Sequence, residues 1–123
     1  MSFASIRIIT EDVDRLAAFY ERVTGQVATR PAPVFAQFVG PGATLAIASP
    51  ATVAMLGDAV SPAANSSLIV EFEVADVDAE FARLQPELHD VVLPPSTMPW
   101  GNRSALFRDP DGNLVNLFSR PTV

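Results

Sequence analysis

The chain repeats one strand-to-helix pattern, and this repeat constrains the fold more than any other feature. Residues 5–10 alternate apolar and other side chains as a strand does, and Asp12 follows where a helix N-cap is expected. Residues 70–74 alternate in the same way before Asp76, which lies 64 residues after Asp12. Apolar residues at helical spacing follow each aspartate. We therefore expect two copies of one structural unit.

Three further strands follow each predicted helix. The last two strands of each half are joined by turn-forming residues, Gly-Pro-Gly at 40–42 and Asp-Pro-Asp-Gly-Asn at 109–113. Each half therefore predicts the order strand, helix, strand, strand, strand. The strands predicted after the helices cover residues 26–30, 34–39 and 44–49 in the first half and 90–93, 103–108 and 114–119 in the second.

These elements predict an α+β fold. Two βαβββ modules are expected to form a curved mixed sheet with a concave cavity, with the helices on the outer face. A chain of 123 residues suits a single domain. We place module 1 at about 1–50, a linker rich in Pro, Ala, Asn and Ser at about 51–66, and module 2 at about 67–123. A short helix is expected within the linker, around residues 52–56.

Strand parity assigns side chains to the two faces of the sheet. If Ile6 and Ile8 point toward the helix, their neighbours point into the cavity. Phe35 and Phe38 cannot share a face of a regular strand, and Phe38 is assigned to the cavity. The other residues expected on the cavity face are Ser5, Arg7, Ile9, Thr44, Ala46 and Ala48 in the first half and Ile69, Glu71, Glu73, Leu114, Asn116 and Phe118 in the second.

Charge and composition exclude several classes of function. The formal charge of −6, from 14 acidic and 8 basic residues, argues against nucleic acid and anionic membranes as partners. No run of 18 apolar residues and no leader-like start is seen, so a cytoplasmic protein is expected. The absence of Cys excludes disulfides and thiolate chemistry. The basic residues are all Arg, which, with many Ala and Pro, is typical of a GC-rich bacterial source.

Three segments resemble the vicinal oxygen chelate superfamily, which comprises glyoxalases, bleomycin resistance proteins and extradiol dioxygenases. They are residues 12–20, 74–78 and 107–113, and the resemblance covers nearly the whole chain in order. The Asp-Pro-Asp-Gly-Asn turn before a final apolar strand is its most specific part. The resemblance implies a homodimer and a pocket formed within one chain or shared between two.

Enzymes of this superfamily hold a divalent metal with His, Glu or Gln on the first and last strands of each module. Carried over by position, these ligands fall on Ser5, Ala46, Ile69 and Asn116. None is a ligand of the expected kind. The single histidine, His89, lies off the cavity strands. The resemblance therefore implies a branch with no metal and no cofactor.

The preferred interpretation is metal-independent sequestration or carriage of a small, partly aromatic or hydrophobic molecule, as in antibiotic-binding resistance proteins. Trp100, between Pro99 and Gly101, resembles a Trp-Gly stretch of that branch and would stack on a planar ligand; the alternative is that it packs the loop against the sheet. The expected ligand-binding residues are Ser5, Arg7, Phe38, Ala46, Ile69, Glu71, Trp100, Arg103 and Asn116.

Two other interpretations stay open. The first is a lyase or isomerase that uses Glu71 or Glu73 as a general base, or that has an unconventional metal site. No nucleophile–base pair supports catalysis, so the sequence leans against an enzyme. The second is a regulatory or interaction subunit. For Arg7 the alternatives are that it pairs with a glutamate across the sheet or that it is partly solvated, as are Glu71 and Glu73. For Arg103 and Arg108 the alternative to an anion is that one of them pairs with nearby Asp109 or Asp111.

Overall fold

The computed structural model describes residues 1–121, and its elements follow the predicted order. The strands and helices alternate as two copies of strand, helix and three strands. The first copy comprises β1 (Ser5–Ile9), α1 (Val13–Thr24), β2 (Thr29–Ala32), β3 (Phe35–Val39) and β4 (Thr44–Ala48), and the second comprises β5 (Ile69–Glu73), α2 (Val77–Leu84), β6 (Val91–Thr97), β7 (Arg103–Arg108) and β8 (Leu114–Ser119).

The α+β class and the two βαβββ modules are thereby confirmed. Contacts group the chain into two compact units, Met1–Ala64 and a second unit that begins at Asn65. Each unit holds one four-stranded sheet, ordered β1-β4-β3-β2 in the first and β5-β8-β7-β6 in the second. In both sheets the first strand pairs in parallel with the last, and the remaining pairs are antiparallel. The assignment of all 123 residues to one domain with a linker stays a prediction.

In the first unit, α1 packs on one face of its sheet. Asp12 caps the helix, since its Oδ1 accepts the N–H of Arg15 at 3.0 Å. Gly25 ends it in the left-handed conformation, with φ of 72°. Leu16 and Tyr20 are fully buried, and the Tyr20 ring lies 6.4 Å from the ring of Phe38 on β3. The helix is therefore held by apolar burial against β3 and β4.

The second unit repeats this construction. Asp76 caps α2 through the N–H of Ala79 at 3.0 Å. Val77 and Phe81 of the helix form a buried cluster with Ala105 of β7. The repeated sequence pattern thus produces the same helix-on-sheet packing twice.

Two strands differ from the sequence prediction. β2 begins at Thr29, three residues later than expected, and β6 extends four residues beyond the expected end, through Pro94 and Pro95. Prolines lack the N–H that an interior strand needs. They are tolerated in β6 because this strand pairs only with β7 and its register shifts between Leu93 and Ser96.

The segment after β4 is more ordered than the predicted linker. Residues Pro50–Ala59 form 3₁₀ turns, begun by Ser49, whose Oγ accepts the N–H of Ala51 at 3.1 Å. Val53 of this segment packs against Ile9 and Ala48. Within residues 1–121, none of the helices combines the length and the apolar character needed to cross a bilayer.

Candidate ligand-binding faces

Each sheet has one face against its own helix and one facing away, which we call the far face. Residues paired across neighbouring strands place their side chains on the same face. In the first sheet, Arg7 pairs with Ala46, and Ala46 pairs with Gln37, which makes one row across three strands. The far face of the first sheet carries Ser5, Arg7, Ile9, Phe35, Gln37, Val39, Thr44, Ala46 and Ala48.

The first far face is apolar at one end and polar in the middle. Ile9, Ala48 and the partly buried Phe35 pack with Val53 of the 3₁₀ segment. The next row holds the exposed Arg7, the buried Ala46 and the half-buried Gln37. The polar groups of this row that solvent reaches are therefore those of Arg7 and Gln37.

The Arg7 guanidinium forms no ion pair with the residues that the structure describes. Within the second unit, Glu71 accepts from Asn116 and Glu73 accepts from Arg120. The pairing of Arg7 with a glutamate stays a prediction. All the donor groups of Arg7 stay available to a ligand.

Phe38 was expected to line the cavity, and this assignment is wrong. It pairs with Leu45 and is 5% exposed, with its ring beside Tyr20 of α1. Its side chain therefore belongs to the core under the helix. Phe35 lies on the far face instead, because the two positions differ by three residues and point to opposite sides.

In the second sheet, Glu71, Asn116 and Leu106 form the central row of the far face. Asn116 Nδ2 donates a hydrogen bond to Glu71 Oε2 at 2.9 Å. Asn116 Oδ1 is buried and accepts no hydrogen bond from the described residues. A buried amide oxygen without a donor costs free energy, so a donor that reached this atom would be favoured.

The rows on either side differ in polarity. Ile69 pairs with Leu114, which makes an apolar end. Glu73 pairs with Phe118 in register, and its Oε2 accepts from Arg120 Nε at 3.0 Å. Because Glu73 already forms this exposed ion pair, Glu71 is the better placed of the two proposed bases.

Arg103 was expected to bind ligand, and the structure places it on the helix side of β7. It pairs in register with Ser119, and its Nε and Nη2 donate to both oxygens of Asp78 on α2, at 3.0 and 2.8 Å. Arg103 therefore has a structural partner on the helix side, and its ligand-binding role stays a prediction. The partner of Arg103 is thus Asp78, while Arg108 forms an ion pair with Asp90 at 3.7 Å.

The hydrogen bond from Arg103 holds the pKa of Asp78 below its usual value of 3.8, with a smaller Coulombic contribution from the same arginine. Because the pKa of Asp78 is lower in the folded than in the unfolded protein, the ion pair stabilises the fold at pH values above the unfolded pKa. This stabilisation is lost as the pH falls through the folded pKa.

We expect Arg103→Gln to raise the pKa of Asp78, as measured by NMR titration of its carboxyl carbon. The stability difference between the two proteins should be largest above pH ~4 and should vanish in stronger acid. An unchanged Asp78 pKa in Arg103→Gln would contradict the assignment.

Trp100 lies in the 98–102 connection between β6 and β7, where Gly101 N donates to Met98 O at 2.9 Å. Its side chain is 69% exposed. It does not belong to either far-face row, and its stacking on a ligand stays a prediction. The exposure disfavours the alternative in which Trp100 packs the loop against the sheet.

Gln37 and Leu106 complete the two central rows, and the sequence interpretation missed both. The alternation of side chains along β3 and β7 would have identified them, because each follows a buried residue of the opposite face, Ala36 on β3 and Ala105 on β7.

The four positions that correspond to metal ligands do not fit a divalent metal. They carry a hydroxyl at Ser5, a methyl at Ala46, an alkyl chain at Ile69 and an amide at Asn116. Divalent sites in proteins are built from imidazole, thiolate and carboxylate groups. Within residues 1–121, no three His, Asp or Glu side chains come close enough together to hold a metal ion.

Comparisons with known proteins agree with this architecture. A protein of unknown function from Agrobacterium tumefaciens str. C58 is 26% identical over 97% of this chain and 94% of its own, with a TM-score of 0.81. A glyoxalase-related enzyme from Fulvimarina pelagi is 19% identical over 98% and 88%, with a TM-score of 0.83. A lactoylglutathione lyase from Agrobacterium tumefaciens is 22% identical over 96% and 92%, with a TM-score of 0.72. These similarities concern the fold.

No curated protein matches the chain. The profile of the Glyoxalase/Bleomycin resistance protein/Dioxygenase superfamily matches residues 2–117, which is nearly the whole sequence. Together with the two βαβββ modules, this match shows that the chain belongs to the Glyoxalase/Bleomycin resistance protein/Dioxygenase superfamily.

Proposed function

We propose that this protein binds a small organic molecule without a metal ion, through residues of the far faces. The observation that carries the proposal is the chemistry of the two central rows. Where metal ligands are expected in this superfamily, these rows present Ala46 between Arg7 and Gln37, and Asn116 between Glu71 and Leu106. Such rows supply hydrogen bonds and apolar contact, which is how proteins hold organic ligands.

The rows also indicate the kind of ligand. Leu106 would contact an apolar or aromatic body, whereas Glu71 and Asn116 Oδ1 are hydrogen-bond acceptors. A ligand with amino, amide or hydroxyl donors on a planar frame would satisfy them. This chemistry is that of the antibiotics which the sequence resemblance suggests, and sequestration or carriage requires no further catalytic group.

The ligand-binding proposal is tested with metal-free bleomycin and mitomycin C in the presence of EDTA. Trp100 is the only tryptophan and is 69% exposed, so its fluorescence reports stacking without interference from another tryptophan. We expect saturable 1:1 binding of at least one compound by calorimetry, with a change in Trp100 emission. Asn116→Leu should weaken binding about tenfold, because it removes both amide contacts at similar volume.

Gln26→Leu is the matched control, since Gln26 is exposed and lies outside both sheets. It should bind as the unmodified protein does. Failure of both compounds to bind, or binding only after a divalent metal is added, would overturn the proposal.

One observation favours a second candidate, a metal-independent lyase or isomerase. Asn116 Nδ2 holds the Glu71 carboxylate in a fixed orientation at 2.9 Å, as a positioned general base requires. In that case Glu71→Gln would abolish turnover of a bound compound while leaving its affinity nearly unchanged. Product analysis by mass spectrometry after long incubation separates the two candidates, because a carrier returns the compound intact.

A further inference from the structure

The second unit contains a cavity at the apolar end of its far face, next to the Ile69–Leu114 row and outside the central row. Its volume is 190 Å³, far more than the roughly 15 Å³ that one water molecule needs. It lies where the chain enters β5, beside the turn that precedes β8. Its walls are formed by Asn65, Ser66, Ser67, Leu68, Ile69, Arg108, Gly112 and Leu114.

Arg108 supplies the positive charge of this cavity. It pairs with Leu114, which pairs with Ile69, so its side chain lies on the far face and toward the cavity. Arg108 Nη1 donates to Gly112 O at 3.0 Å, which fixes the guanidinium, and Nε lies 3.7 Å from the nearest carboxylate oxygen of Asp90. A guanidinium has five N–H groups, so at least three remain for a ligand.

Ser66 and Ser67 line the same cavity as Arg108. Asn65 holds their segment in place: its Nδ2 donates to Asn113 Oδ1 at 3.1 Å, and its Oδ1 accepts the N–H of Ser67 at 3.3 Å. Neither the Ser66 nor the Ser67 hydroxyl has a hydrogen-bond partner among residues 1–121. The segment is thus anchored by its backbone while its hydroxyl donors stay unused.

We propose that this cavity binds the oxyanion group of a small molecule, a phosphate or a carboxylate. The planar guanidinium of Arg108 matches such a group with two parallel hydrogen bonds, and the two hydroxyls supply further donors. Leu68, Ile69 and Leu114 line the rest of the cavity and accept a short apolar substituent. The proposal rests on these contacts alone and holds whether or not the far faces bind an antibiotic.

The test uses inorganic phosphate and, in a separate arm, acetate, each titrated at constant ionic strength against chloride. Amide chemical shifts of Ser66, Ser67, Leu68 and Gly112 are followed by two-dimensional NMR. We expect saturable shifts confined to these residues in at least one arm, and the stronger arm identifies phosphate or carboxylate as the preferred group. Phenyl phosphate or phenylacetate should then bind more tightly than the bare anion, because of the apolar wall.

Arg108→Gln should weaken binding about tenfold or more, since it removes a charge-assisted contact. Arg83→Gln is the matched control, because it removes the same charge from α2 of the same unit, outside the cavity lining. It should leave the affinity unchanged.

If Arg108→Gln does not fold, the Ser66→Ala/Ser67→Ala double variant decides, and it should weaken binding severalfold. Absence of saturable shifts in both arms, or equal affinity in the decisive variant, would overturn the proposal.

Discussion

Tyr20→Ala is expected to lower the free energy of unfolding by about 3–5 kcal/mol, the range measured for truncation of large buried aromatic residues. Tyr20 is fully buried on α1, and its ring makes an edge contact with Phe19 at 5.3 Å and a tilted contact with Phe38 at 6.4 Å. The loss would consume much of the 5–15 kcal/mol that holds an ordinary domain together. Urea denaturation followed by circular dichroism measures it.

Phe3→Ala provides the matched control in the same unit. Phe3 is also aromatic, but it is 71% exposed. Its truncation should change stability by no more than about 0.5 kcal/mol. Equal effects of the two truncations would contradict the packing described for α1.

Asp109→Ala is expected to cost roughly 2–4 kcal/mol, because it leaves buried donors without an acceptor. Asp109 is 4% exposed, and its Oδ1 accepts the N–H groups of Asp111 and Asn113, both at 2.9 Å. Its Oδ2 accepts Asn113 Nδ2, also at 2.9 Å. Asn113 in turn accepts from Asn65, so the loss should extend to the start of β5. Chemical denaturation together with amide exchange of residues 65–68 measures both effects.

Asp111→Ala is the matched control, because it removes a carboxylate from the same turn but leaves the Asp109 carboxylate in place. Asp111 Oδ2 is buried and accepts no hydrogen bond from the described residues. Its removal should therefore be close to neutral or slightly stabilising. A larger loss at Asp111 than at Asp109 would refute the hydrogen-bond assignment of the turn.

The helices could be predicted from the sequence because local chemistry determines where they begin and end. Asp12 and Asp76 cap the helices as expected, and Gly25 ends the first with positive φ. The alternation along β1 and β5 also predicted which of their residues share a face of the sheet. These features depend on neighbours within a few residues, and a single sequence records them directly.

The extent of β6 could not be predicted in the same way. Pro94 and Pro95 normally end a strand, and they are accepted only because β6 lies at the edge of its sheet. Edge position is a property of the whole sheet, so the local sequence does not reveal it.

Side-chain partners across elements were the least predictable part of the candidate site. Arg103 binds Asp78, which is 25 residues earlier in the chain, rather than the aspartates close to it in sequence. Asn65 meets Asn113 over 48 residues. Nothing in the composition of residues 61–67 distinguishes Asn65 from an ordinary loop residue. Such pairs arise from topology, and only the assembled sheet brings them together.

The central claim is that the protein holds its ligand without a metal ion, and metal stoichiometry tests it most directly. Purified protein is analysed for bound elements, then again after incubation with excess Mn, Fe, Co, Ni and Zn and desalting. The chemistry at Ser5, Ala46, Ile69 and Asn116 predicts far less than one metal ion per chain under every condition. One tightly held metal ion per chain would contradict the claim and would point to Glu71 as a ligand in an unconventional site.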